Sequence, residues 1–149
     1  MPTRKNVTRT VVDRKVQKIT SPYGRRGRPF HKGVDLRSWN DSFTKKLPIV
    51  LPELCIFDRT VYQEKWGWTH VFLPCESGYY EIKFTHMEEN KNLVPEMVYD
   101  VGKELGYTFV TKYMKSHGLG DHLHFETWIK KGEHSDPEEY FESMDIKYI

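Results

Sequence analysis

Two histidines, His122 and His124, lie one residue apart in the sequence GDHLHFE. Side chains alternate between the two faces of a β-strand, so both imidazoles would emerge on one face. Leu123 and Phe125 would then point to the other face and into a core. Two ring nitrogens on one face can bind a metal ion or act as bases beside one. A His-x-His pair alone is more often incidental, so the interpretation depends on a second signal.

The second signal lies far upstream, where three residues separate His31 from Asp35. In a straight strand these side chains would share a face but lie about 13 Å apart, at roughly 3.3 Å per residue, which is too far for one ion. Gly33 between them permits the chain to bend without a steric cost. Two histidines and one aspartate offer three protein ligands and leave a fourth position open, as in catalytic zinc sites.

In combination these segments resemble the LytM/lysostaphin-type zinc metalloendopeptidases, which cleave the peptide parts of bacterial peptidoglycan. The resemblance spans about residues 19 to 141. It rests on three stretches: ITSPYGRR from Ile19, His31-x-x-x-Asp35-Leu36, and HLHFE from His122.

The resemblance implies a role for each of these residues. His31, Asp35 and His124 would bind zinc, and His122 would be the base or the partner of the transition state. A further family histidine follows an aromatic-rich strand and corresponds to His86, although Met87 follows it where the family usually has leucine. His86 would hydrogen-bond the developing oxyanion or orient the attacking water.

The function implied is zinc-dependent endopeptidase activity on peptidoglycan, that is, cell-wall lysis through a metal-activated water. Two alternatives remain open: a non-catalytic cell-wall-binding domain of the same fold, and a structural or assembly domain of a virion. Carboxypeptidases of the D-Ala-D-Ala type fit worse, because only three residues separate His31 from Asp35.

The other histidines and the two cysteines are weaker candidates. His70, His117 and His134 are not expected to bind the metal, but His117, in the glycine-rich sequence KSHGLG, is a candidate for substrate contact. Cys55 and Cys75 lie in apolar, strand-like stretches, which favours free thiols over a disulfide. Cys75 has no basic residue beside it in the sequence that would activate its thiol, so we do not interpret it as a nucleophile.

Length and charge predict a single domain with a basic N-terminal segment. A chain of 149 residues suffices for one core, and we expect a basic arm at 1–18 followed by one peptidase domain at 19–149. Residues 1 to 37 hold eleven Lys or Arg and two acidic residues, whereas residues 133 to 149 hold six acidic residues and one Lys. The arm is either solvated or docks on a partner such as a virion protein; we do not expect a nucleic-acid partner.

The sequence shows no apolar run long enough to span a membrane and no apolar segment typical of a signal peptide at its N-terminus. A peptidoglycan hydrolase must nevertheless act outside the cytoplasm. This pattern is consistent with a mature chain or with export by another route, and a bacteriophage enzyme, released by lysis as an endolysin or carried in the virion, fits it as well.

The predicted fold is mainly β: an antiparallel sandwich or open, barrel-like sheet with a short C-terminal helix. Strand-like segments recur about every ten residues between 47 and 85, with Gly67 and Ser77-Gly78 between them. Residues 107–113 and 123–130 are predicted as further strands. A helical turn is considered at 95–101, and the capping pattern at Ser135-Asp136 predicts a helix over 137–144.

Overall fold

The computed structural model of the chain describes residues 7–24 and 29–149. Within these residues an eight-stranded antiparallel sheet has the order β1-β2-β9-β6-β5-β4-β7, and β10 pairs with β9. A separate pair, β3 and β8, forms a two-stranded sheet. The strands are β1 (Ile19–Ser21), β2 (Val34–Arg37), β3 (Ile49–Val50), β4 (Cys55–Gln63), β5 (Gly67–Pro74), β6 (Glu81–Met87), β7 (Val98–Tyr99), β8 (Glu104–Gly106), β9 (His122–Lys130) and β10 (Glu133–Ser135).

The mainly β, antiparallel prediction is confirmed, and the sheet is open rather than a closed barrel. The C-terminal helix is also present, as α2 (Pro137–Ser143). The side chain of Asp136 caps it by accepting a hydrogen bond from the backbone N–H of Glu138, and proline occupies its first turn.

Two local predictions were wrong. Residues 107–113 do not form a strand, because Thr111 caps a short helix, α1 (Lys112–Ser116), whose Met114 is buried. The segment 95–101 contains strand β7 rather than a helical turn, and its backbone pairs with β4. In both places tertiary contacts decide between local patterns that the sequence alone leaves balanced.

The alternation of side chains in β9 separates the core from the candidate site. Leu123 and Phe125 are completely buried, whereas His122 and His124 on the other face are only partly buried. Helix α2 covers the core face, where the ring of Phe141 stacks on that of Phe125 at 5.7 Å between centroids. Burying each such side chain contributes roughly 1.5–3 kcal/mol, so the register of β9, and hence the direction of its histidines, is strongly fixed.

Residues 7–18 pack against this same core. Val11 and Val12 are completely buried, and the side chain of Gln17 accepts hydrogen bonds from both of their backbone N–H groups. The predicted domain boundary at residue 18 stays a prediction, and the part of the predicted arm at 1–6 lies outside the described residues. Residues 25–28, shortly before His31 in the sequence, also lie outside them.

Cys55 and Cys75 are free thiols, as predicted, with Cys55 buried and Cys75 partly buried. None of the helices in the described parts of the chain has the length and apolar character needed to cross a membrane.

Candidate metal centre

Strand pairing brings the two sequence signals together. Strands β2 and β9 are antiparallel neighbours, and their register places Asp35 opposite His124 and Arg37 opposite His122. His31 precedes β2 at the end where the chain turns through residues 32 and 33. Side chains separated by ninety residues of sequence therefore meet on one face of the sheet.

The two predicted histidine ligands both approach one carboxylate oxygen of the third ligand, Asp35. Oδ1 of Asp35 lies 3.2 Å from Nε2 of His31 and 3.0 Å from Nδ1 of His124. The candidate ligand atoms of these three residues all lie within 4.8 Å of one another. His31 donates its Nδ1 hydrogen to the carbonyl oxygen of Pro22 at 2.8 Å, so Nε2 is the ring nitrogen that faces the cluster. This donor set of two nitrogens and one oxygen fits a zinc ion.

The electrostatics of the cluster also fit a cation. Burial disfavours a charged ring at His124, but hydrogen bonds to Asp35 and Glu126 outweigh it and raise the pKa of His124 to about 9. Burial likewise disfavours the Asp35 carboxylate, yet hydrogen bonds from His124 and His31 outweigh it and hold its pKa well below the ordinary value. His124 thus holds a proton that it would have to release on binding a metal cation.

Glu126 is a member of the site to which the sequence analysis gave no role. Its two oxygens accept hydrogen bonds from Nε2 of His124 at 2.8 Å and from the indole N–H of Trp128 at 2.9 Å. Both contacts orient the ring of His124 so that Nδ1 faces Asp35. Alternation along the strand was the available signal, because residues 122, 124 and 126 share a face.

His122 lies beside the cluster with one ring nitrogen available. Its Nδ1 hydrogen is donated to the carbonyl oxygen of Gly120 at 2.8 Å, so Nε2 of the neutral ring carries the lone pair. That Nε2 lies 3.7 Å from Oδ1 of Asp35. His122 can therefore accept a proton directly next to the three candidate ligands.

His86 reaches the same face through a local irregularity in β6. Simple alternation would put it with Ile82 and Phe84 on the core side, but its φ of 69° and a register shift in the pairing of β5 with β6 turn it back. Its ring centroid lies 4.8 Å from that of His122. Sequence patterns alone could not have placed it there.

The protonation of His86 follows from its surroundings. Its Nδ1 donates a hydrogen bond to the carbonyl oxygen of Trp66 at 2.8 Å, and burial is the main cause that lowers its pKa to about 4. The ring is thus neutral near pH 7, and its Nε2 accepts rather than donates. This arrangement favours orienting a water molecule over donating to an oxyanion, the two roles that the resemblance implied.

All five of these histidine and aspartate residues line one cleft of about 530 Å³. Its lining also includes Trp66, Leu119 and residues of strands β6, β5 and β4. His117 does not line this cleft; its ring stacks on Tyr113 at 4.0 Å. His70 is buried against Thr60, outside the cleft.

The comparison with known proteins rests on structure. No protein-family model and no curated protein matches the sequence. A zinc-containing peptidase from Vibrio cholerae superposes on 87% of this chain with a TM-score of 0.65 and 19% sequence identity. The catalytic domain of lysostaphin, an antimicrobial peptidase from Staphylococcus simulans, matches 83% of this chain and 89% of its own length, with a TM-score of 0.58 and 17% identity.

This chain has the fold of the LytM/lysostaphin-type peptidases. The resemblance stated from the sequence is confirmed at that level, and the chain spans 38% of the length of the Vibrio cholerae peptidase. The same fold occurs in a chain of the SpoIIIAH–SpoIIQ complex, which matches 91% of this chain and 99% of its own length, with a TM-score of 0.68 and 15% identity. The LytM/lysostaphin-type fold is thus found both in peptidases and in a protein–protein complex.

Proposed function

We propose that this chain is a zinc-dependent endopeptidase that hydrolyses peptide bonds of bacterial peptidoglycan. The observation that carries the proposal is the convergence of His31, Asp35 and His124 within 4.8 Å, with Nε2 of His122 beside the same aspartate oxygen. The peptidase neighbours of the same fold support this interpretation. The site of action would be the cell wall, and a phage source stays a prediction.

The chain's own residues divide the chemistry between binding a metal and moving a proton. His31, Asp35 and His124 would hold zinc, which when bound supplies Lewis-acid polarisation of the scissile carbonyl and of the attacking water. Nε2 of His122 would take a proton from the water and deliver one to the departing amine. Nε2 of His86 would accept a hydrogen bond that orients the water, because its own proton is on Nδ1.

The test is zinc content and clearing of purified bacterial cell walls, measured on the same preparations of wild type, His124→Ala and His122→Ala. We expect about one zinc per chain in wild type. His124→Ala should lose zinc and clearing together, whereas His122→Ala should keep zinc and lose clearing. His134→Ala, on a histidine that hydrogen-bonds Tyr23 outside the cleft, is the control and should keep both.

Two results would contradict the proposal. Wild-type protein that binds no zinc would show that the cluster is not a metal site. An inactive His122→Ala variant that had also lost its zinc would contradict the division of roles between His122 and His124.

A second candidate function is protein or cell-wall binding without cleavage. The match to a chain of the SpoIIIAH–SpoIIQ complex favours it, because that neighbour with the same fold is part of an assembly. Zinc binding without release of peptide fragments from any wall type, combined with co-sedimentation of the protein with walls, would select this candidate. A virion partner for the basic N-terminal segment belongs to the same alternative.

A further inference from the structure

One step along the sheet from the metal cluster, the cleft has a row of four side chains, three of which are charged. The register places Arg59 opposite Val71, Val71 opposite Lys83, and Lys83 opposite Glu126. All four side chains line the cleft. Four adjacent strands thus present one continuous row, with Glu126 at the metal end and two cations beyond it.

The neighbouring row contains the reacting centre. Strand pairing places Asp35 opposite His124 and His124 opposite Thr85. The hydroxyl of Thr85 is hydrogen-bonded to that of Thr69 at 3.0 Å, and Thr69 lies opposite Val61. Thr85, Thr69 and Val61 are small, so they form a flat floor across which an extended peptide can lie. Lys83 and Arg59, which we call the basic pair, flank one side of this floor.

The two cations of the basic pair differ in how closely carboxylates already contact them. Both carboxylates that line the cleft, Asp35 and Glu126, are engaged by His124 at the metal end. Of the two other carboxylates near the pair, Glu81 lies 2.9 Å from Arg59 but 3.8 Å from the ammonium of Lys83. Asp58 also contacts Arg59.

Lys83 is therefore the better placed of the two cations. Its ammonium lies 4.4 Å from the ring centroid of Trp128, which steers the side chain without using its N–H donors. Its nearest carboxylate in the described part of the chain lies beyond hydrogen-bond distance, so the three donors can turn to a ligand. A metal dication at the cluster would offset both cleft carboxylates and leave Lys83 as the cation that a substrate meets.

The distance from Lys83 to the reacting centre sets where the ligand group lies. Lys83 is the diagonal cross-strand neighbour of His124, which corresponds to roughly 7–8 Å. An extended peptide advances about 3.3–3.6 Å per residue, so the side chain of Lys83 reaches a group about two residues from the scissile bond.

We propose that Lys83 of the basic pair binds a free carboxylate of the peptide substrate within two residues of the bond that is cut. The chain then acts on anionic peptides in preference to uncharged ones such as oligoglycine. This inference rests on the proposed peptidase function and specifies the substrate class of the same cleft.

The experiment compares two soluble substrates: cross-linked muropeptides with free carboxyl groups, and the same muropeptides after carbodiimide-mediated amidation. A charge-assisted hydrogen bond in a cleft changes kcat/KM by about tenfold or more. Wild-type zinc-loaded protein should therefore cleave the amidated substrate at least about tenfold more slowly. Lys83→Gln should cleave the free-carboxyl substrate as slowly as wild type cleaves the amidated one, mainly because its KM is higher. Amidation of the substrate should then change its kcat/KM little.

Two further variants separate recognition from folding. Lys83→Arg keeps the cation and should retain the preference for free carboxyl groups. Lys130→Gln removes a lysine at the end of the same sheet, 73% exposed and outside the cleft, and should behave as wild type. A Lys83→Gln variant that remains as sensitive to amidation as wild type would overturn the proposal.

Direct binding distinguishes failure of this inference from failure of the peptidase function. If wild type cleaves neither muropeptide, both are titrated into zinc-loaded protein by calorimetry. Tighter binding of the free-carboxyl form that is lost in Lys83→Gln would support the carboxylate subsite although the proposed reaction had failed. Equal affinity for the two forms would overturn the subsite.

Discussion

Nε2 of His124 lies 2.8 Å from Oε2 of Glu126, two residues further along the same strand. Because this hydrogen bond occupies Nε2, only Nδ1 of His124 remains to face Asp35 and a metal. Glu126 is in turn held by the indole of Trp128, so a chain of three side chains fixes the orientation of one candidate ligand. Partners of this kind orient ligating histidines and increase their basicity.

The first prediction concerns this orienting contact. We expect Glu126→Ala to weaken zinc binding by about tenfold to hundredfold, because His124 loses the acceptor that fixes its tautomer. Glu126→Gln keeps one carbonyl acceptor and should lose less. Competition with a chromogenic zinc chelator measures both affinities, and kcat at saturating zinc shows whether the zinc-bound form still works.

The control for Glu126 is Glu133→Ala, which removes an exposed carboxylate from the neighbouring strand. It should leave zinc affinity unchanged. If Glu126→Ala bound zinc as tightly as wild type, the contact would be a packing feature without influence on the ligand.

A second prediction concerns Gly33. The bend expected at this glycine is present in the structure, and the backbones also approach closely there: a Cβ at this position would lie 2.4 Å from the carbonyl oxygen of Phe125 and 3.0 Å from Cε1 of His124. We expect Gly33→Ala to lower the free energy of unfolding by about 1–3 kcal/mol and to weaken zinc binding. Urea denaturation and chelator competition measure the two effects.

The control for Gly33 is Gly120→Ala. Gly24→Ala is less suitable, because the positive φ of Gly24 would strain an alanine at that position. Nothing lies within 4 Å of a Cβ at Gly120. It should change neither stability nor zinc affinity by a comparable amount. Wild-type behaviour of Gly33→Ala would mean that strands β2 and β9 can separate without cost.

Much of the site could be predicted because period-two alternation is a local rule. It put His122 and His124 on one face and Leu123 on the other, and the structure has them so. The pairing of β2 with β9, by contrast, joins residues about ninety positions apart, and no local pattern in the sequence indicates it. Predicting the contacts of Glu126 requires the face of the strand and also the side-chain rotamer. A sequence pattern gives the face but not the rotamer.

The fold was predicted less well where local and tertiary preferences compete. The aromatic and β-branched residues between Tyr107 and Thr111 favour a strand, yet the hydroxyl of Thr111 caps α1. His86 shows the same limit, since its positive φ reverses the face expected from alternation. Such irregularities are set by the packing of neighbouring strands rather than by residue type.

A third prediction concerns pH and uses the metal-free protein. His86 has a pKa of about 4 in the folded chain, whereas an unfolded chain would bind the proton near pH 6.5. Its contribution to stability is therefore complete above pH 6.5 and is lost as the pH falls towards 4, by up to about 3 kcal/mol. Urea denaturation at several pH values with a chelator present measures this loss.

His86→Asn isolates the contribution of His86, because Asp35 and Glu126 also have lowered pKa values and lose stability in acid. Asparagine tolerates the left-handed backbone at this position. We expect the variant to lose less stability than wild type between pH 7 and pH 4. Parallel curves for the two proteins would show that His86 is protonated as easily in the folded chain as in the unfolded one.

The last prediction concerns the segment before β1. If 1–18 were only a docking arm, its removal would leave a folded, active enzyme. Arg9, however, forms an ion pair with Glu76 at 2.8 Å in which both side chains are almost completely buried, and Val11 belongs to the core.

We expect Arg9→Ala to lower the free energy of unfolding by about 3–5 kcal/mol, because it removes a buried charge partner. Val11→Ala should lower it by about 2 kcal/mol, because it leaves a cavity. Lys15→Ala, on an exposed neighbour, should cost little. Urea denaturation of the three variants, and of a chain that begins at residue 19, measures these effects. A truncated chain as stable as wild type would support the interpretation of 1–18 as a docking arm and contradict the packing described for Arg9 and Val11.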